Sequence, residues 1–253
     1  MSSDVDADAL IAASRARGLS PAIGFVREVA STNSALHEAG LRGAAHGTAL
    51  VAGRQTAGKG RLGRTWLAPE DHALALSVVL RPDLPVSRLP LVVLAAGVAV
   101  VRACGRTCRL KWPNDVLSVD GRKVAGILAE AELSKGRLDF VVVGVGINVG
   151  GAPDGPFAAA SLAELLGEPP ARAVLAAEIV AGMRDQVSRI ARDPASILEA
   201  WRTWDGTVGR RVRVEGVEGV ATGIGPDGAL EIRDDAGKAH RILAGDVEMV
   251  RVG

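Results

Sequence analysis

An α+β fold is what this chain predicts: a central mixed β-sheet flanked by helices, followed by a small C-terminal β-barrel. Three observations carry that expectation. The middle of the chain joins apolar strands by tight turns, at Asp120-Gly121 and Ser134-Lys135-Gly136, which suits antiparallel or mixed pairing. Helical segments come before and after this run rather than alternating with it. Near Asp205-Gly206 the composition shifts, and five short strands separated by Gly, Asp and Pro turns follow, a small-barrel pattern. The expected domains are residues 1–206 and 207–253. At 253 residues, 48% of them hydrophobic, the chain can bury a full core.

The elements read off in order. Asp6 to Arg17 is a short helix stopped by Gly18 and Pro21, and Phe25 to Val29 is a strand. Ser31, Thr32 and Asn33 are good N-cap types ahead of a helix near Ser34 to Gly40. Thr48 to Ala52 is a β-type run feeding a glycine-rich loop, and Ala73 to Leu80 is an apolar strand. Leu89 to Ala103 is apolar almost all round, so it reads as a buried helix. Arg109–Trp112 and Val116–Val119 are short strands about a Pro-Asn-Asp corner. Asp120-Gly121 is a type I′ signal joining Val116–Val119 to Lys123–Leu133, and the second turn leads into Leu138–Val145. Helices are expected at Ser161–Leu166, Arg172–Arg192 and Ala195–Trp204. The barrel strands are Arg211–Val214, Val220–Ile224, Leu230–Arg233, Ala239–Leu243 and Val247–Val252.

Composition excludes several functions. A net charge of +1 argues against a dedicated nucleic-acid binder. The longest apolar run, Leu89 to Val101, contains Pro90 and Gly97 and is short for a bilayer span. Met1 to Leu10 carries three aspartates and no basic segment, unlike a secretory signal. Cys104 and Cys108 lack nearby ligand residues and read as reduced thiols, so a cytoplasmic location is expected. His37, His46, His72 and His240 form no metal spacing.

The chemistry concentrates in four stretches. Gly58-Lys59-Gly60-Arg61-Leu62-Gly63-Arg64-Thr65-Trp66 combines three glycines, three cations and a tryptophan. Glycines allow positive φ and close approach, amides and cations make an anion cradle, and indole offers a stacking face. Gly58-x-Gly60-x-x-Gly63 matches a dinucleotide fingerprint, but that pattern needs a helix to start within it, and Pro69 soon ends any helix. Gly53 to Lys59 begins a P-loop, yet Gly60 stands where the magnesium-binding hydroxyl belongs. The second stretch, Lys111-Trp112-Pro113-Asn114-Asp115, reads as a rigid corner presenting a lysine and a carboxylate, or as a plain strand end. In the third, Arg122 to Leu128, alternation places Lys123 and Ala125 on one face and Val124 and Gly126 on the other. A lysine among small residues suits an anionic ligand. In the fourth, Val141 to Val149, an apolar strand ends in Gly144, Gly146 and Asn148. Asn148 either binds a ligand or caps the strand.

In this order, Ser31-Thr32-Asn33, Gln55, the glycine-basic loop, Lys-Trp-Pro-Asn-Asp, Lys-Val-Ala-Gly-Ile-Leu and Gly-Val-Gly-Ile-Asn resemble biotin protein ligases. The resemblance covers Phe25 to Val149 closely and the C-terminal barrel in outline. It implies a catalytic fold like that of class II aminoacyl-tRNA synthetases and biotin ligases, with an SH3-like barrel behind it. That family's loop usually has arginine where Lys59 stands, so charge is kept and the bidentate fork lost. Too few residues precede Phe25 for the helix-turn-helix domain of bifunctional members, so the monofunctional type, without nucleic acid or membrane partners, is expected.

The resemblance implies a two-step reaction. Biotin's carboxylate attacks the α-phosphate of ATP, with Mg2+, giving biotinyl-5′-AMP, and a lysine of a biotin carboxyl carrier domain then takes the biotinyl group. It implies catalytic roles for Lys123, Arg61, Asp115 and Lys111. Biotin would contact Ser31, Thr32, Asn33, Gln55, Gly58, Lys59, Arg61, Lys123, Gly126, Leu128 and Gly146. The adenylate would contact Arg61, Leu62, Arg64, Trp66 (stacked on adenine), Lys123 and Asn148. Asp115 either aids the incoming lysine or organises Mg2+. Lipoate–protein ligase is the nearest alternative, which the full glycine-basic loop followed by tryptophan disfavours. A non-catalytic regulator that holds biotinyl-AMP is the other.

Overall fold

The computed structural model describes residues 4–66, 72–154 and 158–250. Seven strands form one sheet: β1 (Gly24–Val29), β2 (Ala49–Gln55), β3 (Ala73–Leu80), β4 (Cys108–Lys111), β5 (Asp115–Ser118), β6 (Lys123–Ser134) and β7 (Arg137–Asn148). Their spatial order is β1-β2-β3-β7-β6-β5-β4. Only β1 and β2 pair in parallel; the other neighbours are antiparallel, so the sheet is mixed, as expected. The helices are α1 (Ala7–Ala16), α2 (Thr32–Leu41), α3 (Leu89–Cys104), α4 (Leu162–Leu166), α5 (Arg172–Ile190) and α6 (Pro194–Arg202).

Alternation along the central strands gives the sheet two different faces. On one, Leu74, Leu76 and Val78 of β3, Ile127 of β6, and Val141, Val143, Val145 and Ile147 of β7 join the large core with α3 and α5. On the other, Val79, Phe140 and Val142 pack with Leu36 of α2. Farther along β7 that second face carries glycine, at positions 144 and 146. Bulk on one face and glycine on the other is what leaves a floor open beside α2.

Helix α3 continues a short 3-10 turn, Val86–Arg88. The combined stretch Val86–Cys104 spans 19 residues and is apolar enough to cross a membrane by length and composition. This corrects the estimate from the apolar run alone, because the helix extends past both ends of that run. Its packing accounts for the apolar surface: Leu91, Val92, Ala95, Val98 and Val101 are fully buried against α5, α6 and the sheet.

One turn differs from the sequence reading. Gly121 has φ +89°, but Asp120 is not in the left-handed region. Gly121 N donates to Ser118 O at 2.9 Å and Ser118 N to Arg122 O at 2.8 Å. This is a three-residue loop with a left-handed glycine, not type I′; the Ser118 hydroxyl ties Asp120 into it. Both central residues have positive φ instead at Lys135-Gly136 and at Glu215-Gly216.

A second, antiparallel sheet follows: β8 (Arg211–Val214), β9 (Val217–Ile224), β10 (Leu230–Arg233), β11 (Ala239–Ile242) and β12 (Glu248–Met249), in the order β11-β10-β9-β8-β12. The last strand is shorter than expected within the described residues. This sheet docks on the Lys111–Asp115 corner between β4 and β5. Trp112 is buried, its Nε1 donates to Gly228 O at 2.9 Å, and its backbone N donates to Thr207 Oγ1 at 2.8 Å. The peptide bond from Trp112 to Pro113 is cis.

Candidate active site

The open floor lies between the N-terminus of α2, the end of β2, and strands β6 and β7. Its lining includes Ser31, Thr32, Asn33, Gln55, Gly126, Leu128, Gly144 and Gly146, and the glycine loop covers it with Lys59, Arg61 and Trp66. The loop is a small hairpin. Gly60 N donates to Arg64 O at 2.7 Å and Trp66 N to Gly58 O at 2.9 Å, with Lys59 and Thr65 facing each other. No helix starts within its glycines; a 3-10 turn at Arg61–Gly63 makes the tip. Pro69 lies outside the described residues. At the tip, Leu62 holds φ +55° with its side chain 71% exposed.

The wall residues are already hydrogen-bonded to one another. Thr32 N and Oγ1 lie 2.8 and 3.1 Å from Gln55 Oε1. Asn33 Nδ2 reaches Glu130 Oε2 at 2.8 Å and Leu128 O at 3.4 Å, and Asn33 Oδ1 lies 2.6 Å from the Ser77 hydroxyl. Ser77 is fully buried and also 2.7 Å from Thr32 Oγ1. It has one proton for these two acceptors, so it fixes which way the wall's hydroxyls point. Asn33, Thr32 and the Gln55 carbonyl therefore all have hydrogen-bond partners within the protein.

Trp66 lies on the floor. A Cβ built on Gly146 would stand 2.2 Å from Trp66 Cε2, and one on Gly126 would stand 3.1 Å from Trp66 Cζ3. The glycines are thus required by the indole that covers them. With the ring there, the cavity measures about 60 Å³. The buried indole Nε1 finds no acceptor among the described residues. Lys123 Nζ is 5.8 Å from the ring centroid.

Lys123 stands over Gly126, not beside Ala125: its Cε and Nζ would be 3.3 and 3.4 Å from a Cβ at Gly126. The sequence reading put these two residues on opposite faces. The register explains the correction. Asp115 pairs with Gly126 and Val116 with Ala125, but Leu117 pairs with Lys123. Val124 is the extra residue of a β-bulge, and one extra residue turns Lys123 to the pocket side. There Lys123 Nζ lies 2.6 Å from Asp115 Oδ1, and Lys111 Nζ lies 3.5 Å from Asp115 Oδ2. One carboxylate between two ammonium groups leaves a net positive charge at the floor's edge.

The loop cations have carboxylate partners. Lys59 Nζ is 3.2 Å from Glu130 Oε1. Arg61 Nη1 donates to Asn114 Oδ1 at 2.8 Å and to Gly245 O at 3.4 Å. Arg61 and Arg64 lie 3.6 and 2.5 Å from the Asp246 carboxylate. Leu62, Arg64 and Gly58 line an outer groove between the loop and β6, outside the floor. Asn148 is not part of the floor's lining. Its Nδ2 donates to Lys123 O and Ala160 O, both at 3.2 Å, and its buried Oδ1 has no partner among the described residues. It fastens the end of β7, which sets the backbone that carries Lys123.

Sequence reasoning did not single out Ser77, Asn114, Glu130, Gly144 or Asp246 as site residues. Asn114 and Gly144 lay inside motifs already quoted, and Ser77 is the one hydroxyl in an apolar strand. Asp246 approaches from the second sheet, with no local signal.

Residues 25–148 match the biotin/lipoate A/B protein ligase family, and residues 207–250 match the biotin protein ligase C-terminal domain. A biotin--[acetyl-CoA-carboxylase] ligase of Mycobacterium tuberculosis is 36% identical over 241 residues, 89% of this chain and 88% of that protein. The bifunctional ligase/repressor BirA of Bacillus subtilis is 34% identical over 238 residues, 87% of this chain and 72% of that protein. A biotin protein ligase from Aquifex aeolicus, in complex with biotin and ATP, superimposes with a TM-score of 0.75 at 29% identity, covering 91% of this chain and 99% of that one.

Proposed function

Because the chain belongs to the biotin/lipoate A/B protein ligase family, we propose that it activates biotin with ATP and transfers the biotinyl group to a lysine of a biotin carboxyl carrier domain. The observation that carries this reading is the position of Lys123, over a glycine floor and backed by Asp115 and Lys111.

In the first step a biotin carboxylate oxygen bonds to the α-phosphorus of ATP, and the bond to pyrophosphate breaks. Both reactants are anions, so a fixed cation beside the new bond lowers the barrier. Lys123 supplies that charge. Asp115 holds its ammonium in place, and Lys111 on the far side keeps the cluster positive overall. In the second step the carrier lysine's amine attacks the acyl carbon, AMP leaves, and the amine gives up a proton. Arg61 faces the phosphate side from the loop.

A floor holding about 60 Å³ is far below the roughly 300 Å³ of a small-molecule site. In this reading the Trp66 indole leaves the floor when biotin enters, and it is then free to cover the adenine. Glycines at positions 126 and 146 then let biotin lie against bare backbone, while Gly144 makes room for the Asn33 amide.

Mg2+ does not fit a protein cage here. Among the described residues no three His, Cys, Asp or Glu side chains cluster, and the Asp115 carboxylate is flanked by two ammonium groups. We therefore assign Asp115 to positioning Lys123 and give no step to the metal, which in this reading arrives with the nucleotide's phosphates. The need for ATP favours the cytoplasm as the place of reaction.

The test is biotin-dependent exchange of labelled pyrophosphate into ATP without carrier protein, with lipoate as the control acid. Exchange with biotin alone is expected. Exchange with lipoate alone, or with neither acid in folded protein, would overturn the assignment.

A further inference from the structure

Glu130 has no place in the two-step scheme, yet its side chain joins two parts of the site, the wall at Asn33 and the stem of the glycine loop at Lys59. It lies on β6 two residues beyond Leu128, on the same face as Gly126 and Leu128, at the end of the floor away from Lys123. Its two carboxylate oxygens take different partners. Oε2 accepts from Asn33 Nδ2 at 2.8 Å, and Oε1 faces Lys59 Nζ at 3.2 Å. Asn33 belongs to the fixed wall, because its amide oxygen Oδ1 accepts from the hydroxyl of fully buried Ser77 at 2.6 Å. Lys59 belongs to the stem of the glycine hairpin. The tip of that hairpin is held separately, by Asp246 on Arg61 and Arg64.

We propose that Glu130 is a positioning residue with two separable duties: it holds the Asn33 amide in the biotin wall, and it latches the stem of the glycine loop through Lys59. The first duty deepens the biotin reading and rests on it. The second is a property of the loop itself, independent of which acid the site takes. Lys59 is then a latch for the loop rather than a carboxylate ligand, which suits a compact ammonium on a flexible stem.

The two oxygens allow the duties to be separated by substitution. Glu130→Ala removes both contacts. Glu130→Gln keeps an amide oxygen that accepts from Asn33 but turns an uncharged NH2 toward Lys59. Lys59→Gln removes the latch alone.

The latch is read by trypsin on the full chain without ligand, at the bonds after Arg61 and Arg64. Cleavage reports how often the loop opens when reclosing is fast. The ion pair is half-exposed, so about a two- to fivefold faster cut is expected in all three variants. The Lys59→Gln/Glu130→Gln double variant should be no faster than either single one. Wild-type cleavage rates in both Glu130→Gln and Lys59→Gln would overturn the latch. The wall contact is read by the KM for biotin in pyrophosphate exchange. Glu130→Ala should raise it about tenfold, the loss expected for one charge-assisted hydrogen bond, with a smaller change in kcat. Glu130→Gln should restore KM while staying trypsin-sensitive. A general packing defect would move both readouts together, and equal KM in the Ala and Gln variants would overturn the wall assignment. Absence of biotin exchange in the wild type would count against the ligase reading, while the trypsin comparison still decides the latch.

Discussion

Trp112→Phe separates docking from chemistry within one motif. Trp112 sits between Lys111 and Pro113, so its neighbours belong to the site, yet its own ring points away into the contact with the second sheet. It is 1% exposed and donates from Nε1 to Gly228 O at 2.9 Å. Phenylalanine keeps most of the apolar volume but leaves the Gly228 carbonyl without its donor. A buried polar group left unpaired costs about 1–3 kcal/mol. The smaller ring leaves about 40 Å³ unfilled, or about 1 kcal/mol at the usual cavity coefficient. The total, about 2–4 kcal/mol, corresponds to a fall in Tm of about 4–16 °C for a chain of this size. Thermal unfolding followed by circular dichroism measures it. Hydrogen exchange at the turn before β10 should rise with it, because that turn carries Gly228. Thr207→Val offers an independent check, since it removes the acceptor at 2.8 Å from Trp112 N while keeping the shape. An unchanged Tm in Trp112→Phe would refute the docking role. Lost pyrophosphate exchange without lost stability would show that the ring serves the reaction directly.

Other outcomes follow from the same geometry. Lys123→Ala should fold and lose on the order of 10²–10³ in exchange rate; near-normal exchange would remove Lys123 from the centre of the mechanism. Gly146→Ala puts a methyl where Trp66 now lies, 2.2 Å from Cε2. Overpacking of that kind costs about 1–3 kcal/mol and falls on the ligand-free, capped site, so Tm without ligand should drop by about 2–12 °C, and an unchanged Tm would show that the indole does not rest on this floor. His46 should make stability acid-sensitive. Burial, then the Arg184 charge, holds its pKa below the ordinary value, and its Nδ1 accepts from Arg81 N at 3.0 Å. The unfolded chain therefore binds the proton more readily. The contribution is fully present above about pH 6.5 and is lost as pH falls through the lower folded value. Tm measured across that window should drop more in the wild type than in His46→Ala, and parallel curves would exclude the histidine.

Much of the fold was legible because its cues are local. The apolar run Ala73–Leu80 could be little else than a central strand, and it is one from end to end. The same holds for the glycines ending β7, whose alternation with valine marks a bare face on a buried strand. What was not legible depended on register. The face of Lys123 turns on a single extra residue, Val124, and a bulge is defined only against the partner strand. Asp120-Gly121 carries a type I′ signal, but the Ser118 side chain offered Asp120 a different local contact. Glu130 and Asp246 were missed for another reason. Each is an ordinary surface acid until a loop from far along the chain is laid over it; Gly245, beside Asp246, meets Arg61 across 184 residues. Asn33 shows a different limit: it lines the floor as its motif suggested, but nothing in the motif shows that Glu130 and Ser77 bond its amide.

The indole on the floor has a kinetic meaning. With the ring leaving the floor as proposed, the site has two populations, capped and uncapped, and only the second admits ligand. Affinity is then reduced by the uncapped fraction, and uncapping sets a ceiling on how fast binding proceeds. The observed association rate for biotin should level off at high concentration instead of rising without limit. The buried Nε1 of Trp66, which finds no acceptor among the described residues, works against the capped population, since a buried donor without an acceptor raises its free energy. The cap is therefore poised to lift, and the bare backbone beneath it is hidden from water until a ligand takes its place.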